Sequence, residues 1–288
     1  MPHTMSRMGD VLAGFHAAWE FESDSVLIRY ERGIRTPKLF SALGERRIPL
    51  AAIEAVTLEP GRRGTVVLRI VPRPGADPLT EAAAGQLKDH SDPHRLVLPA
   101  ERDALAEYYA DELRAALTEA GPAERFLVAA PEAPLSFKAY DAKASFDGRT
   151  VRFRWFWTGA SSAKWKAGDQ SFAVSELSGV EWRSPEVFEG HLRLLRGEDL
   201  PTQADQDPAT VVFGLGYGAV HESLPFAAAV LAAVRRGRGP MAAVAATGPR
   251  RDPADVAERI RHLGDLHSAG LVTDEEFSAK KAELLAEL

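Results

Sequence analysis

Cysteine is absent from the 288 residues, which excludes disulfides, thiolate zinc sites, iron–sulfur clusters and cysteine nucleophiles. Long apolar runs are missing too: the stretch Ala227–Val234 falls far short of the roughly 20 residues that span a bilayer. Met1 to Val11 carries His3, Arg7 and Asp10, where a secretory leader would be apolar, and Met1, Met5 and Met8 are each a candidate start. An excess of positive charge is also lacking. Lys+Arg 35 against Asp+Glu 41 gives a formal charge of -6, so attraction to phosphate polymers or an anionic bilayer would need a local patch. These absences lead to the expectation of a cytoplasmic protein without cofactor.

What is present is ordinary globular composition, 45% hydrophobic and 26% charged, and enough length for two cores and an appendage. An internal repeat divides the chain. "IPLAAIEAVTLEPGRRGTVVLRIV" (Ile48–Val71) lies over "FAVSELSGVEWRSPEVFEGHLRLL" (Phe172–Leu195) without a gap. Ile48 meets Phe172, Ile53 meets Leu177, Val56 meets Val180, Leu58 meets Trp182 and Ile70 meets Leu194. Before each copy, alternating runs broken at Ser23–Ser25 and at Asp147–Arg149 predict a hairpin. After each, a further strand follows an insertion, Pro72–Pro93 or Gly197–Pro208, whose Pro, Asp, Gly and Ala content predicts a surface loop.

Each copy then closes with a helix. The first is expected over Glu101–Gly121, with Leu105, Tyr108 or Tyr109, Leu113 and Leu117 inward; the second over His221–Gly237. Periodicity thus predicts an α+β chain in which a bent antiparallel sheet is covered by one C-terminal helix, twice. This tandem unit resembles the pleckstrin-homology-like domains found twice in a bacterial family of unknown function. The resemblance rests on strand order, the segments "IPLAAIEAV" and "FAVSELSGV", and the final helix. The expected domains are 9–121 and 134–237.

Residues 238–251 lack periodicity and read as a linker. Over 252–288, Asp252 and Pro253 open a helix, Val256, Ile260 and Leu263 line one face, and Gly270 ends it. Thr273 and Glu276 form a capping box for a second helix bearing Phe277, Leu284 and Leu288. This segment is similar to the short C-terminal domain SHOCT through Leu263, Leu266, Gly270, Leu271, Val272, Thr273, Asp274, Glu275, Glu276, Phe277, Lys280, Lys281, Leu284 and Leu285. The resemblance implies an oligomerisation or docking element, with Ile260, Leu263, Leu266, Leu271, Phe277, Leu284 and Leu285 as contact residues. So short a helical hairpin cannot fold on its own apolar surface, so it needs a second copy, another protein or the chain's own domains.

For chemistry, "VRFRWFWTGASSAKWKAG" (Val151–Gly168) is the most informative stretch. Alternation puts Val151, Phe153, Trp155 and Trp157 on one face and Arg152 and Arg154 on the other, with Lys164 and Lys166 after the turn. Arg152, Arg154, Lys164 and Lys166 are the candidate anion-binding residues, against the reading of a solvated face covered by arginine stems. The first copy is basic in the same region, at Arg29, Arg32, Arg35, Lys38, Arg46 and Arg47. "GLGYGAV" (Gly214–Val220) lacks the spacing of a dinucleotide loop. The histidines, among them His90 and His94, have no metal-ligand spacing. No catalytic constellation is read. The resulting expectation is a non-enzymatic adaptor that binds itself or another protein, with anionic membrane lipid or nucleic acid as the alternative partner.

Overall fold

A computed structural model describes residues 10–197 and 202–237. The expected linker and helical hairpin, 238–288, lie outside the described residues.

The first repeat opens with β1 (Asp10–Ala13), β2 (Ala17–Phe21), β3 (Ser25–Tyr30), helix α1 (Lys38–Leu43) and β4 (Glu45–Pro49), and the four strands form one antiparallel sheet in that order. A second sheet follows from β5 (Ile53–Pro60), β6 (Thr65–Pro72) and β7 (Arg95–Pro99), with helix α2 (Pro78–Ala83) between the last two strands and α3 (Asp103–Ala116) after them.

The second repeat reproduces this plan. Strands β8 (Leu135–Lys138), β9 (Ala142–Phe146), β10 (Thr150–Trp155) and β11 (Gln170–Ala173) make one sheet, with α4 (Ser162–Ala167) preceding β11. Strands β12 (Gly179–Arg183), β13 (His191–Leu195) and β14 (Thr210–Val212) make the other, and α5 (Val220–Gly237) closes it. The repeat extends to side-chain register. Val56 pairs with Ile70 as Val180 pairs with Leu194, and Leu58 with Leu68 as Trp182 with Leu192. Leu50–Ala52 and Val174–Glu176 form the same short 3-10 turn.

Alternation in each strand sends one set of side chains inward. Trp19, Ile28, Ile48, Leu68 and Leu96 build the first core, and Phe153, Leu192, Val211 and Phe226 the second. The second core also takes Leu39, Leu79, Ala82 and Ala83 from the first repeat. That corrects the reading of Pro72–Pro93 as a surface loop, because α2 rises from this insertion and packs on α5. Accordingly α5 is apolar on nearly every side, from Leu224 to Val234, as a helix covered all round must be. Its alanines, Ala227 to Ala229, Ala232 and Ala233, keep the helix narrow enough to be approached closely.

Polar links reinforce this junction. The Gln86 side-chain amide donates to Trp182 O at 2.9 Å and accepts from Ser184 N at 2.9 Å, completing the end of β12. Arg235 of α5 reaches Glu81 of α2 at 3.1 Å.

Helix α3 differs from its expected form. Its buried face is Ala106, Ala110 and Leu113, with Leu105 and Tyr108 in solvent. Tyr109, the alternative, stacks on Phe21 with ring centroids 4.3 Å apart. The helix also stops at Ala116, well before Gly121. Arg73 takes up carbonyls of that following segment, those of Ala120, Gly121 and Pro122.

Because Leu79 is wholly buried and Leu105 is not, Leu79→Ala is expected to cost about 2–5 kcal/mol and Leu105→Ala less than about 1 kcal/mol. Denaturant titration of the two variants checks this; equal small losses would return the α2 segment to the status of a loop.

Candidate functional site

The outward face of the β8–β11 sheet is built from the residues that alternate with its core. Lys138 of β8 lies opposite Lys143 of β9, and Lys143 opposite Arg154 of β10. One step along the strands, Ser136 lies opposite Ser145, Ser145 opposite Arg152, and Arg152 opposite Ser171. The basic residues are all exposed. The two rows thus hold two lysines, two arginines, three serines and no carboxylate. Arg152 pairs with Asp147 at 2.8 Å. Among the described residues, Lys138, Lys143 and Arg154 have no ion-pair partner.

The matching rows of the first repeat are neutralised. Ala13, Ala18, Arg29 and Glu45 lie opposite one another in turn, and so do Val11, Glu20, Leu27 and Arg47. Arg29 pairs with Glu20 and Glu45, and Arg47 with Glu22. Since the fold is the same, only the substitution of side chains separates a charge-balanced face from a basic one.

The four candidate anion-binding residues do not gather into one cluster. Arg152 and Arg154 share the sheet face and Lys166 is exposed on α4. Lys164 is corrected: it is wholly buried, and its Nζ donates to Asp141 Oδ2 at 2.6 Å beneath the Trp155 ring, 5.1 Å from the centroid. Helix α4 turns this residue inward as its third position. Asp141 Oδ1 accepts from Val212 N at 2.9 Å, so the carboxylate also holds β14. Burial pushes the Lys164 ammonium below its ordinary pKa and the Asp141 carboxyl above its own, against the attraction between them. Trp157 is corrected as well. Strand β10 ends at Trp155, whose indole donates to Gly168 O, and leaves Trp157 79% exposed with its ring centroid 5.8 Å from that of Trp165.

Arg46, which the sequence grouped with surface cations, is also buried. Its guanidinium clasps Asp77, with Nη2 to Oδ1 at 2.6 Å and Nη1 to Oδ2 at 3.2 Å. His94 Nε2 lies 3.2 Å from Asp77 Oδ2, and His94 Nδ1 lies 3.5 Å from Asp92. Asp77 caps α2 by accepting from the N–H groups of Leu79 and Thr80 and from the Thr80 hydroxyl. Burial alone would raise the Asp77 pKa, but Arg46 and His94 outweigh it and hold the carboxyl well below the usual range. Burial likewise lowers His94, while the bonds to Asp77 and Asp92 more than reverse that and raise it.

A second surface feature is a cleft of about 560 Å³ lined from both repeats, by Leu39 and His90 of the first and by Phe188, Phe213, Leu215 and Tyr217 of the second. Phe188 is 83% exposed and Leu215 fully so. Gly218, at φ 68, closes the turn beside them; an added Cβ would meet the Phe213 ring at 2.1 Å.

Lys138 and Lys143 were missed by sequence reasoning, although for Lys143 the signal was available. Once the hairpin turn is set at Asp147–Arg149, alternation in "AKASF" puts Lys143 and Ser145 on the Arg154 and Arg152 face. The hairpin contact residues, Ile260, Leu263, Leu266, Leu271, Phe277, Leu284 and Leu285, lie outside the described residues.

The model of the family described as "Domain of unknown function (DUF4429)" matches residues 19–114 and again 144–231, together more than half of the chain. The chain belongs to this family. The two DUF4429 segments coincide with the two structural repeats, each beginning within the first sheet. The model of the "Short C-terminal domain" (SHOCT) matches residues 258–285. No curated protein matches the chain. Among the described residues of this DUF4429 protein, no three His, Asp or Glu side chains are placed to hold a metal ion, and no helix is long and apolar enough to cross a membrane.

Two stability tests follow. Lys164→Met leaves Asp141 buried without its cation and is expected to cost about 3–5 kcal/mol. Adding Asp141→Asn, which keeps the acceptor for Val212 N, should recover a large part; equal losses in single and double variants would mean that the pair is not coupled. For His94 the folded pKa is raised, so its contribution is complete below about pH 6.5, the ordinary histidine value, and is lost as pH rises through the raised one. Wild-type stability minus that of His94→Gln is therefore expected to fall across that window, and a constant difference would contradict it.

Proposed function

We propose that this DUF4429 protein is a non-enzymatic interaction protein: two pleckstrin-homology-like repeats, held as one body, present a docking cleft to a protein partner. The pleckstrin-homology-like assignment is supported by a four-stranded sheet, a three-stranded sheet and a C-terminal helix recurring in the same order in both repeats. The observation that carries the functional reading is the cleft between the repeats, where Phe188 and Leu215 stand in solvent at the rim. Single exposed apolar residues are ordinary on a protein surface. Here two bulky ones flank one concavity together with Val187 and Tyr217, the pattern of an apolar anchor site.

The SHOCT segment supplies the second half of the proposal, oligomerisation or docking through Ile260, Leu263, Leu266, Leu271, Phe277, Leu284 and Leu285. Multiplying the cleft in an assembly would turn a weak individual contact into a tight one, since the second binding event becomes intramolecular.

Light scattering of the full chain beside a chain ending at Gly237 tests the assembly half. A multimer that becomes a monomer on truncation is expected, and two equal monomers would contradict it. For the cleft, the variant Phe188→Ser with Leu215→Ser should leave stability within about 0.5 kcal/mol of wild type while abolishing capture of whatever protein the wild type retains. Undiminished capture would remove the cleft from the account.

A further inference from the structure

None of the basic residues on the sheet face of the second repeat lines the cleft, and the two assignments can fail independently. On this face Lys138, Lys143 and Arg154 stand side by side on three adjacent strands. Strand spacing makes that row about 10 Å long. Beside its Arg154 end the chain leaves β10 and carries Trp157 and then Trp165, two exposed indoles in contact edge to face at 84°. Three serines, Ser136, Ser145 and Ser171, fill the neighbouring row around Arg152.

We propose that this row, together with Trp157 and Trp165 beyond the end of β10, binds single-stranded nucleic acid, the cations taking successive phosphates and an exposed indole stacking on a base. Charge complementarity selects an anion. The side-by-side order of the cations selects one whose charges are themselves in a row, and an exposed ring three residues along the chain from Arg154 is what an unpaired base can use.

A bilayer fits less well, because the basic row is narrow and bounded by acid. Asp147 sits at the far end of the sheet face, bonded to Arg152. Asp169, which accepts the Trp155 N–H at 3.1 Å, stands beside the near end. The Asp205 backbone is held against α4 by the Ser161 hydroxyl at 2.6 Å, bringing the Asp205–Asp207 loop alongside. A flat anionic surface covering the whole face would press on these carboxylates, whereas a strand can pass between them. The first repeat supplies a built-in control, since the equivalent rows carry Glu20 and Glu45 against Arg29 and hold no free run of cations.

The experiment is fluorescence anisotropy of a labelled oligodeoxythymidylate of about a dozen nucleotides with the full chain over a range of salt. Three phosphate contacts at about 0.7 each give an expected slope of log affinity against log salt near −2. Replacing Lys138, Lys143 and Arg154 together by Ser should lower affinity at least about tenfold at low salt and flatten that slope. Trp157→Ala should weaken binding roughly tenfold and leave the slope unchanged, because stacking releases no counterion. Arg29→Ser should change neither quantity.

Absence of binding at the lowest salt, or wild-type affinity in the triple variant, would overturn the proposal. Tighter binding of phosphatidylglycerol vesicles than of the oligonucleotide at equal phosphate, lost in the triple variant, would overturn it in favour of a bilayer. The three substitutions are on exposed positions; if the triple variant nonetheless fails to fold, the wild-type slope and Trp157→Ala decide.

Discussion

A single buried carboxylate anchors the join between the repeats. Asp77 is fully enclosed, and it is tolerable there because every lone pair is used: the Arg46 fork, His94, two N–H groups of α2 and the Thr80 hydroxyl. This arrangement fixes where α2 starts, and α2 supplies Leu79, Ala82 and Ala83 to the core of the other repeat. Helix α5 is consequently covered from both sides, with its apolar circumference matched to that position. Removing one partner from such a cluster leaves a charge stranded in a dry site, at a cost of about 3–5 kcal/mol.

The two repeats have kept one backbone and exchanged the contents of equivalent places. Where the first closes β3 with Tyr30 packed on Phe40 at 4.8 Å, the second closes β10 with Trp155 over Lys164 and pairs that lysine with Asp141. The first carries its buried ions at the α2 cap and the second beneath α4. On the outside the first sheet face is charge-balanced and the second basic, and Phe188 and Leu215 of the second repeat edge the cleft.

Much of the architecture was legible because it is periodic. Apolar positions matched in register revealed the repeat and its strand register, and the same 3-10 turn recurs at Leu50–Ala52 and Val174–Glu176. What escaped the sequence was tertiary. The segment Pro72–Pro93 has the composition of a loop, and nothing local reveals that its six-residue helix is buried against a partner more than a hundred residues away. Arg46 and Lys164 look like surface cations for the same reason, since only the fold brings Asp77 and Asp141 to them. Trp157 was placed inward by extending the β10 alternation past its end, where Phe156 turns back to bond with Asp141 O. The SHOCT residues were recognisable by motif, whereas the row formed by Lys138, Lys143 and Arg154 needed the strand pairing to bring distant positions together.

The central claim is that the described residues of the two repeats form one cooperative body in which α2 and α5 fuse them. Native-state hydrogen exchange tests it most directly, by following amides of β3 in the first repeat and β10 in the second with increasing denaturant. The account predicts that both sets converge on one opening reaction with the same free energy and denaturant dependence. Two separate openings, with one sheet exchanging freely while the other remains fully protected, would contradict it.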